Sequence, residues 1–110
     1  MLKKRERLTH GQFDDFFKTG RRFHSPSLTL IYTPYEEFRG AVVVGKKVFK
    51  KATQRNRLRR QVYHQLYQQA AKQGRTGVHI MIVKPVAKDR PVKELGAEMM
   101  GLLASIHKAR

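Results

Sequence analysis

No cysteine occurs among the 110 residues, which excludes disulfides, thiolate metal ligands and a cysteine nucleophile and suits a reducing compartment. Tryptophan is absent as well, and no apolar run approaches the roughly 18 residues of a membrane-spanning helix. The opening stretch, MLKKRERLTH, is basic and lacks the apolar segment of a secretory signal. The cytoplasm is therefore the expected location, with no membrane partner.

Acidic residues are the telling scarcity. Eight Asp and Glu stand against 24 Lys and Arg, a net charge of +16. Between Phe38 and Lys88 there are thirteen Lys and Arg and not one acid. Like charge at that density works against a compact chain unless a polyanion offsets it, so a nucleic acid is the natural counterpart. At 40% hydrophobic the chain is too apolar to be disordered, and its length suits a single domain over residues 1–110 with a basic arm at 1–8.

The same shortage limits chemistry. Metal-assisted hydrolysis needs clustered carboxylates, and the two adjacent pairs, Asp14-Asp15 and Glu36-Glu37, read as solvated surface. The five histidines show no zinc spacing, and neither a catalytic triad nor a phosphate-binding glycine loop can be picked out. No catalytic or metal-binding residue is assigned. The chain alone is not expected to catalyse a reaction or to hold a metal tightly.

What is present is organised around Lys46 to Arg60, KKVFKKATQRNRLRR, in which eight of fifteen residues are Lys or Arg. Upstream, Thr9 and Gln12 form a capping box, Phe13, Phe16 and Phe17 follow at helical spacing, and Gly20 reads as the residue in C′ position. The phenylalanines are core by the ordinary reading, or one ring stays open to stack on a base. Arg21 to Pro26 is a connection or a short edge strand. Leu28 to Thr33 alternates as a half-buried strand, and Pro34 to Glu37 turns into a β-branched strand, Arg39 to Val44. These two strands read as a hairpin, with the second central.

A helix from about Thr53 to Ala71 carries an apolar stripe, Leu58, Val62, Leu66 and Ala70. Arg57, Arg60, His64 and Gln68 lie opposite. Arg55 and Arg59 share the meridian of the stripe, so either the first turns overhang the sheet and line a cleft, or both arginines snorkel to solvent. Val78 to Val83 is a further buried strand. Asp89 is placed to cap a last helix with Val92, Leu95, Met99, Leu102, Leu103 and Ile106 on its core face. The order is α-β-β-β-α-β-α, an α+β protein forming a two-layer α/β sandwich.

The phosphate-binding set is Lys46, Lys47, Lys50 and Lys51 leading into the helix, then Arg55, Arg57, Arg59 and Arg60, whose guanidinium groups can fork onto phosphate oxygens beside the positive helix end. Asn56 is either a specific amide contact or a local cap. Phe13, Phe17 and Tyr32 supply candidate stacking surfaces, as in proteins that bind single strands.

Gly45-Lys46-Lys47 followed by Arg55-Asn56-Arg57-Leu58-Arg59-Arg60 resembles the signature of the bacterial ribonuclease P protein component. Arg7-Leu8, Phe13, Phe16-Phe17-Lys18 and Gly20, the strand at Leu30-Ile31-Tyr32, and Ile82-Val83-Lys84-Pro85 extend the resemblance along most of the chain. It implies a ribosomal protein S5 domain 2-like fold with a left-handed β-α-β crossover, against the general rule. It also implies the small subunit of a ribonucleoprotein whose RNA is the catalyst. That holoenzyme is an Mg²⁺-dependent endoribonuclease that removes the 5′ leader of precursor tRNA and leaves a 5′-phosphomonoester, with Mg²⁺ held mainly by the RNA. On the same basis, Lys46, Lys47, Lys50, Lys51, Arg55, Asn56, Arg57, Arg59 and Arg60 contact a ribonuclease P RNA present 1:1. Phe13, Phe17 and Tyr32 line the leader cleft. Gly45, Tyr63, Phe49 and Lys51 depart from the usual residues. The alternative is a structural, ribosomal-type protein that binds ribosomal RNA. A helix-turn-helix DNA binder is disfavoured, because no second helix closely precedes Thr53.

Overall fold

The computed structural model describes residues 7–108, with side chains through residue 106. Most of the basic arm expected at 1–8 lies outside the described residues. The elements are α1 (His10–Thr19), β1 (Arg21–His24), β2 (Leu28–Thr33), β3 (Phe38–Val44), α2 (Ala52–Leu66), β4 (Gly77–Val83) and α3 (Val92–Lys108). A π-helical turn, Tyr67–Ala71, prolongs α2, and a 3₁₀ turn, Pro85–Asp89, precedes α3. The order of helices and strands is the expected one, and β1 is the short edge strand.

Sheet order departs from expectation. It runs β1-β2-β4-β3, with β4 antiparallel to β2 and parallel to β3. The expected hairpin of β2 and β3 does not form, because β4 inserts between them. Five residues from Thr33 to Phe38 reach up to about 17 Å. That is enough to step across β4, since two strand spacings measure about 10 Å. Burial gives the reason. From Gly77 to Met81 every residue of β4 is buried, so this strand is covered on both faces and takes the centre. β3 carries the half-exposed Arg39 and takes the edge, where Arg7 forms a parallel bridge to Gly40.

The stripe Leu58, Val62, Leu66 and Ala70 is buried as read, at 7, 1, 0 and 0% exposure. It packs with Leu95, Met99, Leu102, Leu103 and Ile106 of α3 onto Leu28, Leu30, Val42, Val44, Met81 and Val83 of the sheet. This is the two-layer body. The second sheet face carries a smaller cluster, Ile31, Ala41, Val78 and Ile80, with Leu8, Phe13, Phe16, Phe17, Tyr35 and Ile82 packed against it. α1 therefore lies outside the two-layer body, on the opposite face from α2 and α3.

The capping box of α1 forms in both directions, Gln12 N to Thr9 Oγ1 and Thr9 N to Gln12 Oε1. Gly20 does cap the helix, but in extended rather than left-handed backbone (φ −70°). Glycine is required by proximity, since a β-carbon there would collide with the Ile31 side chain and the Phe16 carbonyl. Asp89 does not cap α3. It closes the 3₁₀ turn, and the Pro91 carbonyl accepts the first bonds of the helix, from Glu94 and Leu95.

Candidate nucleic-acid interface

The basic segment leaves the sheet from the C-terminal end of β3. A turn closed by Val48 N to Gly45 O, at 3.1 Å, holds Lys46 and Lys47 at its exposed tip, while Val48 plugs into the core at 3% exposure. The next lysines, Lys50 and Lys51, are also exposed. Lys51 is the N-cap of α2 and gives no side-chain cap bond, and no acid lies in the first turn. The N–H groups at this helix entrance are thus left to an outside acceptor.

The two arginines on the apolar meridian are both held by bonds within the chain. Arg55 Nη1 donates to the carbonyl oxygens of Phe49 (3.0 Å) and Lys50 (2.6 Å). It is half-buried, and those carbonyls compensate its desolvation. Arg59 Nη1 donates to Asn56 Oδ1 at 2.7 Å. Asn56 is therefore no helix cap; it sits exposed in the second turn and steadies Arg59.

Lys46, Lys47, Lys50, Lys51, Arg57 and Arg60 are exposed. Among the described residues none of these six pairs with a carboxylate; Glu37 is taken by Arg39 at 2.5 Å and Glu94 by Arg90 at 3.6 Å. Glu36 and Glu37 lie before β3 and the lysines after it, so the acids stand at the far end of that strand from the basic segment.

Lys88 and Arg90, which sequence reasoning did not assign, also border this region. Lys88 lines the same groove as Lys46, Lys47, Lys50 and Lys51, and its Nζ lies 5.8 Å from the Phe49 ring centroid. Arg90 lines the adjoining groove with Arg57 and Gln61. Their basic character is visible in the chain; their approach to Phe49 depends on how the 3₁₀ turn packs beside α2.

The aromatic candidates separate. Phe13 and Phe17 are half-buried on α1 and stack with centroids 5.6 Å apart. Arg22 lies over the Phe17 ring at 4.9 Å and donates to the Phe17 carbonyl at 3.0 Å. Phe16 meets Tyr35 edge-on at 5.8 Å. Tyr32 is not brought to them. It is 6% exposed and belongs to the core beneath α2 and α3, on the other face of the sheet. Strand alternation explains this: Tyr32 shares the side of Leu28 and Leu30, whereas Ile31 faces α1. The aromatic neighbour on the α1 side is Tyr35.

The Tyr32 ring packs against His79 (5.2 Å), which also stacks on Phe38 (5.1 Å). Burial lowers the His79 pKa to about 4, the bond to the Gly77 carbonyl opposes that, and Arg75 adds to it. The neutral ring donates from Nδ1 to that carbonyl at 3.1 Å. Gly77 has φ +104°, and a β-carbon there would meet the Tyr32 ring. Among the described residues, no three His, Asp or Glu side chains are grouped to hold a metal ion.

A small α+β protein with an open cationic helix entrance, and with no carboxylate among the described residues paired to its exposed cations, has the build of an RNA-binding subunit. The family model described as Ribonuclease P matches residues 2–107, and the chain belongs to that family. It is 35% identical over 102 residues to the ribonuclease P protein component of a Nitratiruptor species, covering 93% of this chain and 92% of that one. The fold matches the Staphylococcus aureus RNase P protein (TM-score 0.79, 18% identity, 92% of this chain and 94% of that chain). It also matches the RNase P protein from Thermotoga maritima (TM-score 0.75, 21% identity, 89% and 94%). The role is that of the protein component of an endoribonuclease holoenzyme, and the ribosomal-type alternative receives no support. Among the described residues, no helix is long and apolar enough to cross a membrane.

Proposed function

We propose that the chain, in the cytoplasm, binds a ribonuclease P RNA 1:1 through the entrance to α2, and holds the 5′ leader of precursor tRNA on the α1 face. Lys46, Lys47, Lys50, Lys51, Arg57 and Arg60 take phosphates, Arg55 fixes the loop that carries the lysines, and Asn56 orients Arg59. Phe13 and Phe17 offer the leader a stacking surface, with Arg22 beside them for its backbone. Phosphodiester hydrolysis, with its Mg²⁺, belongs to the RNA.

The observation that carries this reading is the set of six exposed cations with no carboxylate partner among the described residues, at a helix entrance without a side-chain cap. The test is to purify the protein from its own cells, identify the RNA that accompanies it, and assay precursor tRNA with each component and with both. Both together should cleave at the mature 5′ end at lower Mg²⁺ than the RNA alone, and the protein alone should cleave nothing. Cleavage by the isolated protein would overturn the division of labour.

A further inference from the structure

Two grooves meet at Phe49. One, about 790 Å³, runs along Lys46, Lys47, Val48, Lys50 and Lys51. The other, about 190 Å³, runs between Arg57, Leu58 and Gln61 of α2 and Arg90 and Val92 at the start of α3. Phe49, Gln54 and Lys88 border both and form the saddle between them. Phe49 is half-buried, seated partly on the core, and Lys88 stands over the ring. Its backbone is fixed, because Arg55 grips the carbonyls of Phe49 and Lys50. Asp89, the acid next to Lys88 in sequence, forms no ion pair with it among the described residues.

A half-open ring on a rigid backbone, ringed by cations from three separate elements, is the arrangement that binds an unpaired nucleotide: the ring offers a π face and the cations take the flanking phosphates. The position selects the partner. Phe49 packs with the core under α2 and α3, whereas Phe13 and Phe17 lie on the other face of the sheet, so one leader strand on α1 does not account for this saddle.

We infer that Phe49 and Lys88 form a second contact for the ribonuclease P RNA, in which an unpaired base stacks on the Phe49 ring and Lys88 moves from the ring to the adjoining phosphate. This rests on the reading of α2 as the RNA-binding element and extends the interface from that helix to the turn before α3.

The chain contains no tryptophan, so Phe49→Trp installs a single reporter at the saddle. Its emission should be quenched as the ribonuclease P RNA from the same cells is added, in parallel with the anisotropy of labelled RNA. Phe49→Leu keeps an apolar side chain on the core and should weaken RNA binding roughly five- to a hundredfold. Lys88→Ala should lower the slope of log affinity against log salt by about 0.7–0.9. RNA that binds by anisotropy with Trp emission unchanged, and with Phe49→Leu binding as wild type, would overturn the saddle contact and leave the α2 interface standing. Absence of any binding would overturn both. Unfolding curves of Phe49→Leu and Phe49→Trp separate a packing defect from a lost contact.

Discussion

Arg55 reaches back five residues to the Lys50 carbonyl, 2.6 Å away, and with the same nitrogen to that of Phe49. One arginine of the basic signature is thus a brace, and its charge holds the lysine-bearing loop in shape. Arg55→Ala should cost about 1–2 kcal/mol of stability, since bonds from a charged donor are lost at a partly exposed site. It should weaken RNA binding with little change in salt slope, because no phosphate contact is removed. Chemical denaturation and a salt series on the same variant test both halves; a slope lowered as far as for an exposed arginine would return Arg55 to the phosphate contacts.

Phe13 and Tyr32 should behave differently. Phe13→Ala and Phe17→Ala remove half-buried rings that pack on the second-face cluster, and should reduce affinity for leader-bearing precursor roughly tenfold or more while sparing mature tRNA. Tyr32→Ala opens a hole beside His79 and should cost about 3–5 kcal/mol of stability. Tyr32→Phe should leave leader affinity unchanged. Competition between precursor and mature tRNA is the measurement, and a leader-specific loss in Tyr32→Phe would contradict the placement of that ring.

His79 makes stability depend on pH. Its folded pKa of about 4 lies below the ordinary 6.5, so the unfolded chain takes up the proton first. Above about 6.5 the group contributes nothing. Stability should fall as pH drops from there to about 4, by roughly 3 kcal/mol in total. His79→Gln should flatten that part of the curve whatever its own stability. Equilibrium unfolding across this range decides it, and a wild-type curve no steeper than that of the variant would contradict the buried neutral ring.

Glu98 acts in a more acidic window. Partial burial pushes its pKa up, but bonds from Ser25 Oγ (2.5 Å) and Ser27 N (2.7 Å), with Arg90 nearby, outweigh that and hold it below the usual carboxylate value. The stabilisation is present above the ordinary pKa and is lost as pH falls through the lowered one. Glu98→Gln should be less stable than wild type by about 1 kcal/mol near neutrality, with the gap closing in acid. A gap that persists at the acid end would assign the loss to packing instead of charge.

Local features were legible in the chain and long-range ones were not. The Thr9–Gln12 capping box and the stripe from Leu58 to Ala70 depend on residues three and four apart, so spacing suffices to read them. Which strand lies between which depends on pairing across dozens of residues. The β-branched run of β3 invited a central place that the doubly buried β4 took. Tyr32 shows the cost at the candidate site: its alternation with Ile31 was plain, but which side faced α1 was not. The inward turn of Arg55 and the approach of Lys88 to Phe49 depend on loop shape, which no periodicity encodes.

The central claim is that the exposed cations at the entrance to α2 lie against RNA phosphates. Arg57 is exposed and has no carboxylate partner among the described residues, so it isolates that claim. The decisive measurement is RNA affinity of wild type and Arg57→Ala over a salt series. Affinity should fall steeply with salt for the wild type, and the variant's log–log slope should be shallower by about 0.7–0.9. Identical slopes would take Arg57 out of the interface and contradict the account.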